Sequence, residues 1–346
     1  MSFHVPTIDI TPYVADGTAA DRARVATEVD HACRTVGFMQ VLGHGVPEES
    51  TDGLAGAMDA FFAESLETKK SWVRPAGENR GYSAPKSESL SLSLGVEAST
   101  RMNDFFEAFN IGRSIDDFPG TDVDPAHYAR NTWPDVPGFE ASTWSYLTEA
   151  ERVATTMVRI FADALDLPAD YFDVLTDHAI GVLRMNNYAL PEGTDVTLDG
   201  DLTGMGEHTD FGIVTVLWAD QVRGLQVLGS DGGWYDVNPA DGALLINIGD
   251  LMARWTNEQW SSTLHRVKPP VIDGTIQRRR SAAFFLDGNS DAVVSTLPAF
   301  VDAAHPAIYR SVTIDEHITA KLNGSRAGLI NEGAEREGSR VRASYR

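Results

Sequence analysis

The sequence predicts a mainly β fold with flanking helices, built around a sandwich or barrel-like roll. Three observations support this prediction. Before about residue 180, apolar residues recur at helical spacing, whereas after it short segments alternate between apolar and polar residues. Turn residues such as Gly, Asp and Pro separate these segments, as is typical of sandwiches and rolls. Few helical segments lie between the strand candidates, which argues against a parallel, doubly wound sheet.

The first half of the chain is predicted to contain long helices and two short strands. Residues 6–10 alternate as a strand, and residues 38–43 form a second one after Gly37 ends a helix. Helices are expected over residues 19–36, 49–71, 139–166 and 168–178. Residues 77–95 are rich in Ser, Gly and Pro and are predicted to form a long loop, a type of segment that is often functional.

The second half is predicted to supply the core strands. Strand candidates cover residues 182–190, 212–219, 224–229, 234–239, 242–250 and 279–287. The stretch 191–205 is rich in Gly and Asp, which favours another loop. The polar tail from residue 331 is expected to lie on the surface as a frayed terminus.

Composition excludes several functional classes. The 346 residues include 28 Lys and Arg against 50 Asp and Glu, so the net charge is −22, which repels nucleic acid and anionic membranes. Cys33 is the only cysteine, so no intrachain disulfide can form. No secretory leader or apolar stretch of about 18 residues is evident. We therefore expect a cytoplasmic protein that binds neither nucleic acid nor membrane and has no obligate protein partner.

The strongest local signal for chemistry is the segment GEHTDFG at residues 206–212. Residues two apart in an extended chain share a face, so His208 and Asp210 can both point at one metal ion. With nine His and 50 acidic residues, about one His-x-acid match is expected by chance, so a solvated turn is an equal alternative. His265 lies 55 residues after Asp210, far enough for the chain to return to the same site. Two His and one carboxylate form the facial triad of non-haem Fe(II) oxygenases.

A second signal is the strand candidate that begins at Arg279. Alternation places Arg279, Ser281 and Phe285 on one face and Arg278 and Arg280 on the other. An arginine that faces the interior is costly unless it meets an anion, and a guanidinium with a hydroxyl suits a carboxylate. The alternative is a basic strand that faces solvent.

A third strand candidate carries polar residues at the same spacing. Arg184, Asn186 and Tyr188 share one face, and Leu183 and Met185 share the other. This pattern favours a strand that lines a pocket, although a half-exposed edge strand would have the same alternation.

Taken together, these motifs resemble the iron- and 2-oxoglutarate-dependent oxygenases related to isopenicillin N synthase. The similar segments follow the family's order along nearly the whole chain. They are residues 32–47, 79–83, 104–112, 183–188, 206–217, 224–228, 244–257, 264–267 and 279–286.

The resemblance implies a distorted double-stranded β-helix, or jelly roll, with helices packed around it. We expect one integrated domain with three portions. Residues 1–178 would form a helix-rich portion packed on the core, residues 179–290 the jelly roll with the iron site, and residues 291–346 a C-terminal helix and tail.

The resemblance also implies roles for individual residues. The implied iron ligands are His208, Asp210 and His265. The residues implied to bind 2-oxoglutarate are Arg279 and Ser281, which would bind its distal carboxylate, and Asn186 and Tyr188. Candidate substrate-binding residues are Arg80, Tyr82, Phe105, Phe106 and Phe285. For Phe105 and Phe106, a purely structural place in the core is an equal alternative.

The implied activity is that of a non-haem Fe(II) dioxygenase with 2-oxoglutarate as cosubstrate. Such an enzyme uses O₂ to oxidise an unactivated C–H bond of a small molecule, by hydroxylation, desaturation or cyclisation, and releases succinate and CO₂. Two alternatives remain open at this point. One is an iron-dependent oxidase of the same fold that does not use 2-oxoglutarate, and the other is a jelly-roll binding protein without catalysis.

Overall fold

The computed structural model describes residues 3–75, 77–85, 87, 94, 106–189, 204–268, 271–272 and 275–327. Part of the predicted loop 77–95, nearly all of the stretch 191–205, the tail from residue 331 and Phe105 lie outside the described residues.

Eight helices are described. They are α1 (Thr11–Val14), α2 (Ala19–Thr35), α3 (Glu48–Phe62), α4 (Leu66–Lys70), α5 (Phe139–Ala164), α6 (Asp173–Thr176), α7 (Asp250–Trp255) and α8 (Ile314–Ala327). Helix α2 begins at a capping box, in which the Thr18 side chain accepts the Asp21 amide and the Asp21 carboxylate accepts the Thr18 amide. None of the helices in the described part of the chain is long and apolar enough to cross a membrane.

Eight strands form the large sheet, in the order β1-β2-β10-β7-β14-β5-β4-β3. Their bounds are β1 (Thr7–Asp9), β2 (Phe38–Leu42), β3 (Gly81–Ser83), β4 (Glu107–Gly112), β5 (Ile180–Tyr188), β7 (Val214–Ala219), β10 (Leu244–Ile248) and β14 (Arg279–Gly288). All pairs are antiparallel except β1 with β2.

Four strands form a smaller antiparallel sheet, in the order β6-β11-β8-β9. They are β6 (Met205–His208), β8 (Leu225–Leu228), β9 (Trp234–Asp236) and β11 (His265–Val267). Two further hairpin-like pairs join β12 (Val271–Ile272) to β13 (Thr275–Ile276) and β15 (Val293–Val294) to β16 (Val312–Thr313).

Alternation along the strands builds two apolar layers. In β10, Leu245 packs in a cluster with Val227 of the small sheet, whereas Ile246 packs in the cluster that contains helices α2, α3 and α5. The large sheet is therefore covered by the small sheet on one face and by helices on the other. This arrangement is a jelly roll with flanking helices, so the predicted fold class is confirmed.

Strands from the N-terminal portion belong to the same sheet as the core strands. β2 pairs with β10, and β4 pairs with β5, so the first 112 residues supply four of the eight strands of the large sheet. The division at residues 178 and 290 stays a prediction.

The helix predicted over residues 49–71 is wrong in its continuity. The structure has two helices: α3 ends at Phe62, and Ser65 caps the start of α4, where its side chain accepts a hydrogen bond from the Thr68 amide at 3.1 Å. The helix predicted over 168–178 is reduced to α6, which has only four residues. Strands β3, β4, β6 and β11 were not predicted, because each is short or has too little alternation to stand out.

Candidate metal and cosubstrate site

Three side chains converge between the two sheets. His208 ends β6 and His265 begins β11, and the two residues lie directly opposite each other in the antiparallel pair. The Nε2 atoms of His208 and His265 lie 3.9 Å and 3.6 Å from Asp210 Oδ1. One ligand atom from each residue falls within 4.8 Å of the others, so the three could hold a single metal ion.

Backbone carbonyls fix the orientation of both imidazoles. His208 Nδ1 lies 2.8 Å from the Gly206 carbonyl, and His265 Nδ1 lies 3.0 Å from the Thr263 carbonyl. A carbonyl can only accept, so each Nδ1 carries the proton and each Nε2 is left with a lone pair. Both Nε2 atoms are therefore prepared to bind a metal ion.

The carboxylate of Asp210 is held by its second oxygen. Oδ2 accepts a hydrogen bond from the Thr215 hydroxyl and another from Asn247 Nδ2 at 2.6 Å. These two donors leave Oδ1 facing the imidazoles, which suits a carboxylate that binds a metal through one oxygen.

The protonation states also fit a metal site. Burial, followed by the charge of His265, lowers the pKa of His208 to about 4, so its imidazole is neutral near pH 7. Neutral imidazole is the form that binds metal ions. Burial, followed by the charge of Asp210, raises the pKa of the nearby Asp287 to about 7.

Arg279 lies in the same cavity as these three residues and is 2% exposed. Its guanidinium donates to the Ser281 hydroxyl at 3.2 Å and lies 5.1 Å from the centre of the Tyr188 ring. Its Nε has no hydrogen-bond partner, and no carboxylate of the described chain forms an ion pair with it. A buried cation without an anion is costly, so the site fits a carboxylate that arrives with a ligand.

The arginines that face away from the cavity have acidic partners within the protein. Arg278 and Arg280 both form ion pairs with Asp59, at 2.6 Å and 2.8 Å, and Arg280 also contacts Asp220. The predicted alternation along β14 therefore matches the structure, because only the face of Arg279 meets the cavity.

The other predicted cosubstrate residues also line this cavity. Asn186 lies opposite Ser281 and Tyr188 lies opposite Arg279 in the pairing of β5 with β14. Both are buried, and both border the cavity, as does Phe285. β5 is buried along its whole length and pairs on both sides, so it is not a half-exposed edge strand.

Arg80 and Tyr82 are not among the described residues that border the cavity. Arg80 donates to the carbonyls of Ala129 and Arg113, at 3.1 Å and 2.6 Å. Tyr82 donates to Glu107, which also pairs with Lys69. The substrate-binding role of Arg80 and Tyr82 stays a prediction that their placement does not favour.

Phe106 is buried and does not border the cavity either. Its ring lies 5.8 Å from the Tyr188 ring and 5.1 Å from the Arg184 guanidinium. Both Tyr188 and Arg184 border the cavity, so Phe106 packs behind the wall rather than in it.

Comparison with known proteins gives one consistent answer. Residues 181–288 match the family model of the 2OG-Fe(II) oxygenase superfamily, and residues 5–136 match the N-terminal family of non-haem dioxygenases in morphine synthesis. The 2-oxoglutarate-Fe(II) type oxidoreductase hxnY of Emericella nidulans is 33% identical over 322 residues, which cover 90% of this chain and 88% of that protein. This chain belongs to the 2-oxoglutarate- and Fe(II)-dependent oxygenases.

Other relatives of this oxygenase support the same family. Validamycin A dioxygenase of Streptomyces hygroscopicus subsp. limoneus is 30% identical over 304 residues, covering 86% of this chain and 81% of that protein. The fold is also similar to the crystal structure of Neurospora crassa T7H in complex with α-ketoglutarate and thymine, with a TM-score of 0.79. The two sequences are 26% identical, and the match covers 92% of this chain and 96% of the other. The cofactors of this oxygenase are accordingly Fe(II) and 2-oxoglutarate.

Several residues of the oxygenase site were missed by sequence reasoning. Thr215 and Asn247 donate hydrogen bonds to Asp210. Each is an isolated polar residue in an apolar strand, a pattern that could have indicated a role in the site. Asp287 lies on the cavity face of β14, where continued alternation from Ser281 would have found it. Ile318 and Leu322 come from α8, and no local pattern indicates that this helix reaches the site.

A buried ion pair connects α8 to the metal-binding segment of the oxygenase. Lys321 Nζ lies 2.7 Å from Asp250 Oδ2, and both residues are almost fully buried. The Asp250 amide donates to the Asp210 carbonyl at 2.9 Å, and its carboxylate accepts from the Thr209 hydroxyl at 3.1 Å. Burial alone would raise the pKa of Asp250, but the charge of Lys321 lowers it below its usual value.

Replacing Lys321 with methionine is expected to lower the free energy of unfolding by about 3–5 kcal/mol, because it leaves the Asp250 carboxylate buried without its cation. Urea denaturation measures this change. Arg24→Met is the matched control, since Arg24 pairs with Glu28 on an exposed helix face and should contribute no more than about 0.5 kcal/mol. Equal effects of the two substitutions would contradict the importance of this buried pair.

Proposed function

We propose that this oxygenase oxidises an unactivated C–H bond of a small molecule, with Fe(II) bound by His208, Asp210 and His265. In this proposal, Arg279 and Ser281 bind the distal carboxylate of 2-oxoglutarate. The observation that carries the proposal is the buried guanidinium of Arg279. It has no anionic partner among the described residues and faces the same cavity as the three candidate ligands.

When bound, iron and 2-oxoglutarate supply the oxidising chemistry, in which O₂ is consumed, 2-oxoglutarate yields succinate and CO₂, and a substrate C–H bond is oxidised. The protein's part is to hold the ligand atoms in position. Carbonyl acceptors keep the proton on Nδ1 of His208 and His265, so each Nε2 stays available. Thr215 and Asn247 hold Asp210 by one oxygen, so the carboxylate does not rotate.

Polar side chains on β5 and β14 meet beside Arg279 in the cavity. The planar guanidinium of Arg279 can donate two parallel hydrogen bonds to a carboxylate, and the Ser281 hydroxyl can add a third. Asn186 and Tyr188 face the same region and are proposed to orient the cosubstrate. The apolar residues of the cavity exclude water from the substrate, which protects the reaction from side products.

The alternatives predict different requirements. An oxidase of the same fold would consume O₂ without 2-oxoglutarate, and a binding protein would consume neither. Two observations favour the 2-oxoglutarate-dependent activity over both: the family relationship, and the buried Arg279, which has no anionic partner among the described residues. A closer kinship with isopenicillin N synthase is proposed only from the similarity of the sequence segments.

We also propose that the protein works in the cytoplasm, without nucleic acid or an obligate protein partner. The net charge of −22 supports the exclusion of nucleic acid. The single cysteine, Cys33, is buried and is compatible with a reducing compartment.

The test of the proposed function is a screen of small molecules with the Fe(II)-loaded protein and 2-oxoglutarate in air. We expect at least one compound to stimulate succinate release together with O₂ consumption. Compound oxidation that proceeds unchanged without 2-oxoglutarate would favour the oxidase instead. A protein that binds no iron would contradict the proposal entirely.

A further inference from the structure

One buried acidic group in the cavity has no part in binding iron or 2-oxoglutarate. Asp287 is 7% exposed and borders the cavity together with His208 and Asp210. No hydrogen bond or ion pair joins its carboxyl group to any other side chain of the described part of the chain. An acidic group in this position is costly unless a ligand compensates for it.

The end of β14 is shaped to present this side chain. Leu286 pairs with Gly181 and Gly288 pairs with Ile180, so Asp287 between them is the extra residue of a β-bulge. Bulges of this kind often turn a side chain towards a binding site. The bulge leaves Asp287 without a paired residue on β5.

The metal-binding segment packs directly against Asp287. A Cβ atom added to Gly212 would lie 2.0 Å from Asp287 Oδ1 and 2.8 Å from Asp287 Cα. Only glycine therefore fits at position 212, two residues after Asp210. This contact keeps the Asp287 carboxyl group beside the candidate metal site.

The register of β14 separates Asp287 from the cosubstrate residues. Phe285 lies opposite Thr215, whose hydroxyl holds Asp210, so the candidate metal site lies alongside this part of the strand. Arg279 and Ser281 lie towards one end, and Asp287 lies at the other. At about 3.3 Å per residue, Ser281 and Asp287 are on the order of 20 Å apart along the strand. A ligand at Asp287 would not compete with one at Arg279.

The surroundings of Asp287 define the ligand. Phe211, Phe285, Ile318 and Leu322 are apolar residues that border the same cavity. We propose, as an extension of the proposed function, that Asp287 anchors the substrate and that the substrate is an apolar molecule carrying a basic nitrogen. The carboxylate accepts a charge-assisted hydrogen bond from that nitrogen, and the apolar body lies along these apolar residues, beside the metal.

The proposal is tested by binding in the absence of O₂, where no turnover occurs. Two sets of probes are used, one with a benzyl and one with a naphthylmethyl body, and each body carries an amine, a hydroxyl or a carboxylate group. Calorimetry measures their affinity for the protein loaded with Fe(II) and 2-oxoglutarate. We expect the amine of at least one set to bind about 10- to 100-fold more tightly than its alcohol and carboxylate partners.

Substitution of the anchor should remove this preference. In Asp287→Asn the amine should lose about 10- to 100-fold in affinity, and Asp287→Glu should retain part of it. Asp241→Asn removes the same charge at an exposed turn and should leave the preference unchanged. The proposal is overturned if no amine exceeds its partners in the wild-type protein, or if Asp287→Asn keeps the same order of affinities.

Iron and 2-oxoglutarate binding are measured in the same Asp287→Asn sample. If iron and 2-oxoglutarate bind normally and the variant still prefers the amine probe, Asp287 is not the anchor, and the proposed function stands. If the wild-type protein binds neither iron nor 2-oxoglutarate, the proposed function fails first.

Discussion

Replacing Arg279 with leucine is expected to weaken 2-oxoglutarate binding by about 30- to several-thousand-fold while leaving iron in place. The substitution removes one partner of a buried charged pair, which typically costs about 2–5 kcal/mol, and about 1.4 kcal/mol corresponds to a factor of ten. Calorimetric titration of 2-oxoglutarate into the Fe(II)-loaded variant measures the loss. The 2-oxoglutarate affinity of Arg279→Lys should lie between those of the wild-type protein and Arg279→Leu, because lysine keeps the charge but cannot donate two parallel hydrogen bonds.

The matched control for this prediction is the next residue of the same strand. Arg280 carries the same charge but faces away from the cavity, where it pairs with Asp59 and Asp220. Arg280→Leu should change 2-oxoglutarate affinity little. A larger loss in Arg280→Leu than in Arg279→Leu would mean that the cosubstrate binds on the other face of β14.

Replacing His208 with alanine is expected to abolish iron binding and turnover together. Loss of a residue that only orients a metal ligand typically costs 10- to 100-fold in affinity, so loss of a ligand should exceed about 100-fold. The fold should survive, with a change of no more than about 1–2 kcal/mol in the free energy of unfolding of the metal-free protein, because the apolar layers on both faces of the large sheet are intact. Metal analysis after equilibration with limiting Fe(II) gives the occupancy.

His305→Ala is the control for this experiment, since His305 is exposed and, among the described residues, its side chain forms polar interactions only with Asp302. Its iron content should equal that of the wild-type protein. Normal iron content and full turnover in His208→Ala would remove His208 from the site.

The parts of the site that depend on local alternation could be predicted from the sequence. Along β14, period-two spacing separated Arg279 and Ser281 from Arg280, and the structure has the same two faces. His208 and Asp210 were paired for the same reason. A strand with strong alternation determines side-chain direction without reference to the rest of the fold.

Contacts between distant segments could not be predicted in the same way. The pairing of His208 with His265 depends on the register of two short strands, which neither segment encodes by itself. Lys321 lies in α8 and Asp250 in α7, far apart along the chain, and nothing in the spacing of α8 indicates its buried partner. The break at Ser65 was missed because helical spacing on both sides outweighed the signal of a single capping residue.

The central claim is that a single cavity holds iron through His208, Asp210 and His265 and also holds 2-oxoglutarate. Anaerobic calorimetry on the wild-type protein tests it most directly, with Fe(II) added first and 2-oxoglutarate second, and with the order reversed in a parallel sample. The account predicts one Fe(II) per chain, followed by one 2-oxoglutarate whose binding is much weaker when iron is omitted. Binding of 2-oxoglutarate with the same affinity in the presence and absence of iron, or the absence of Fe(II) binding, would contradict it.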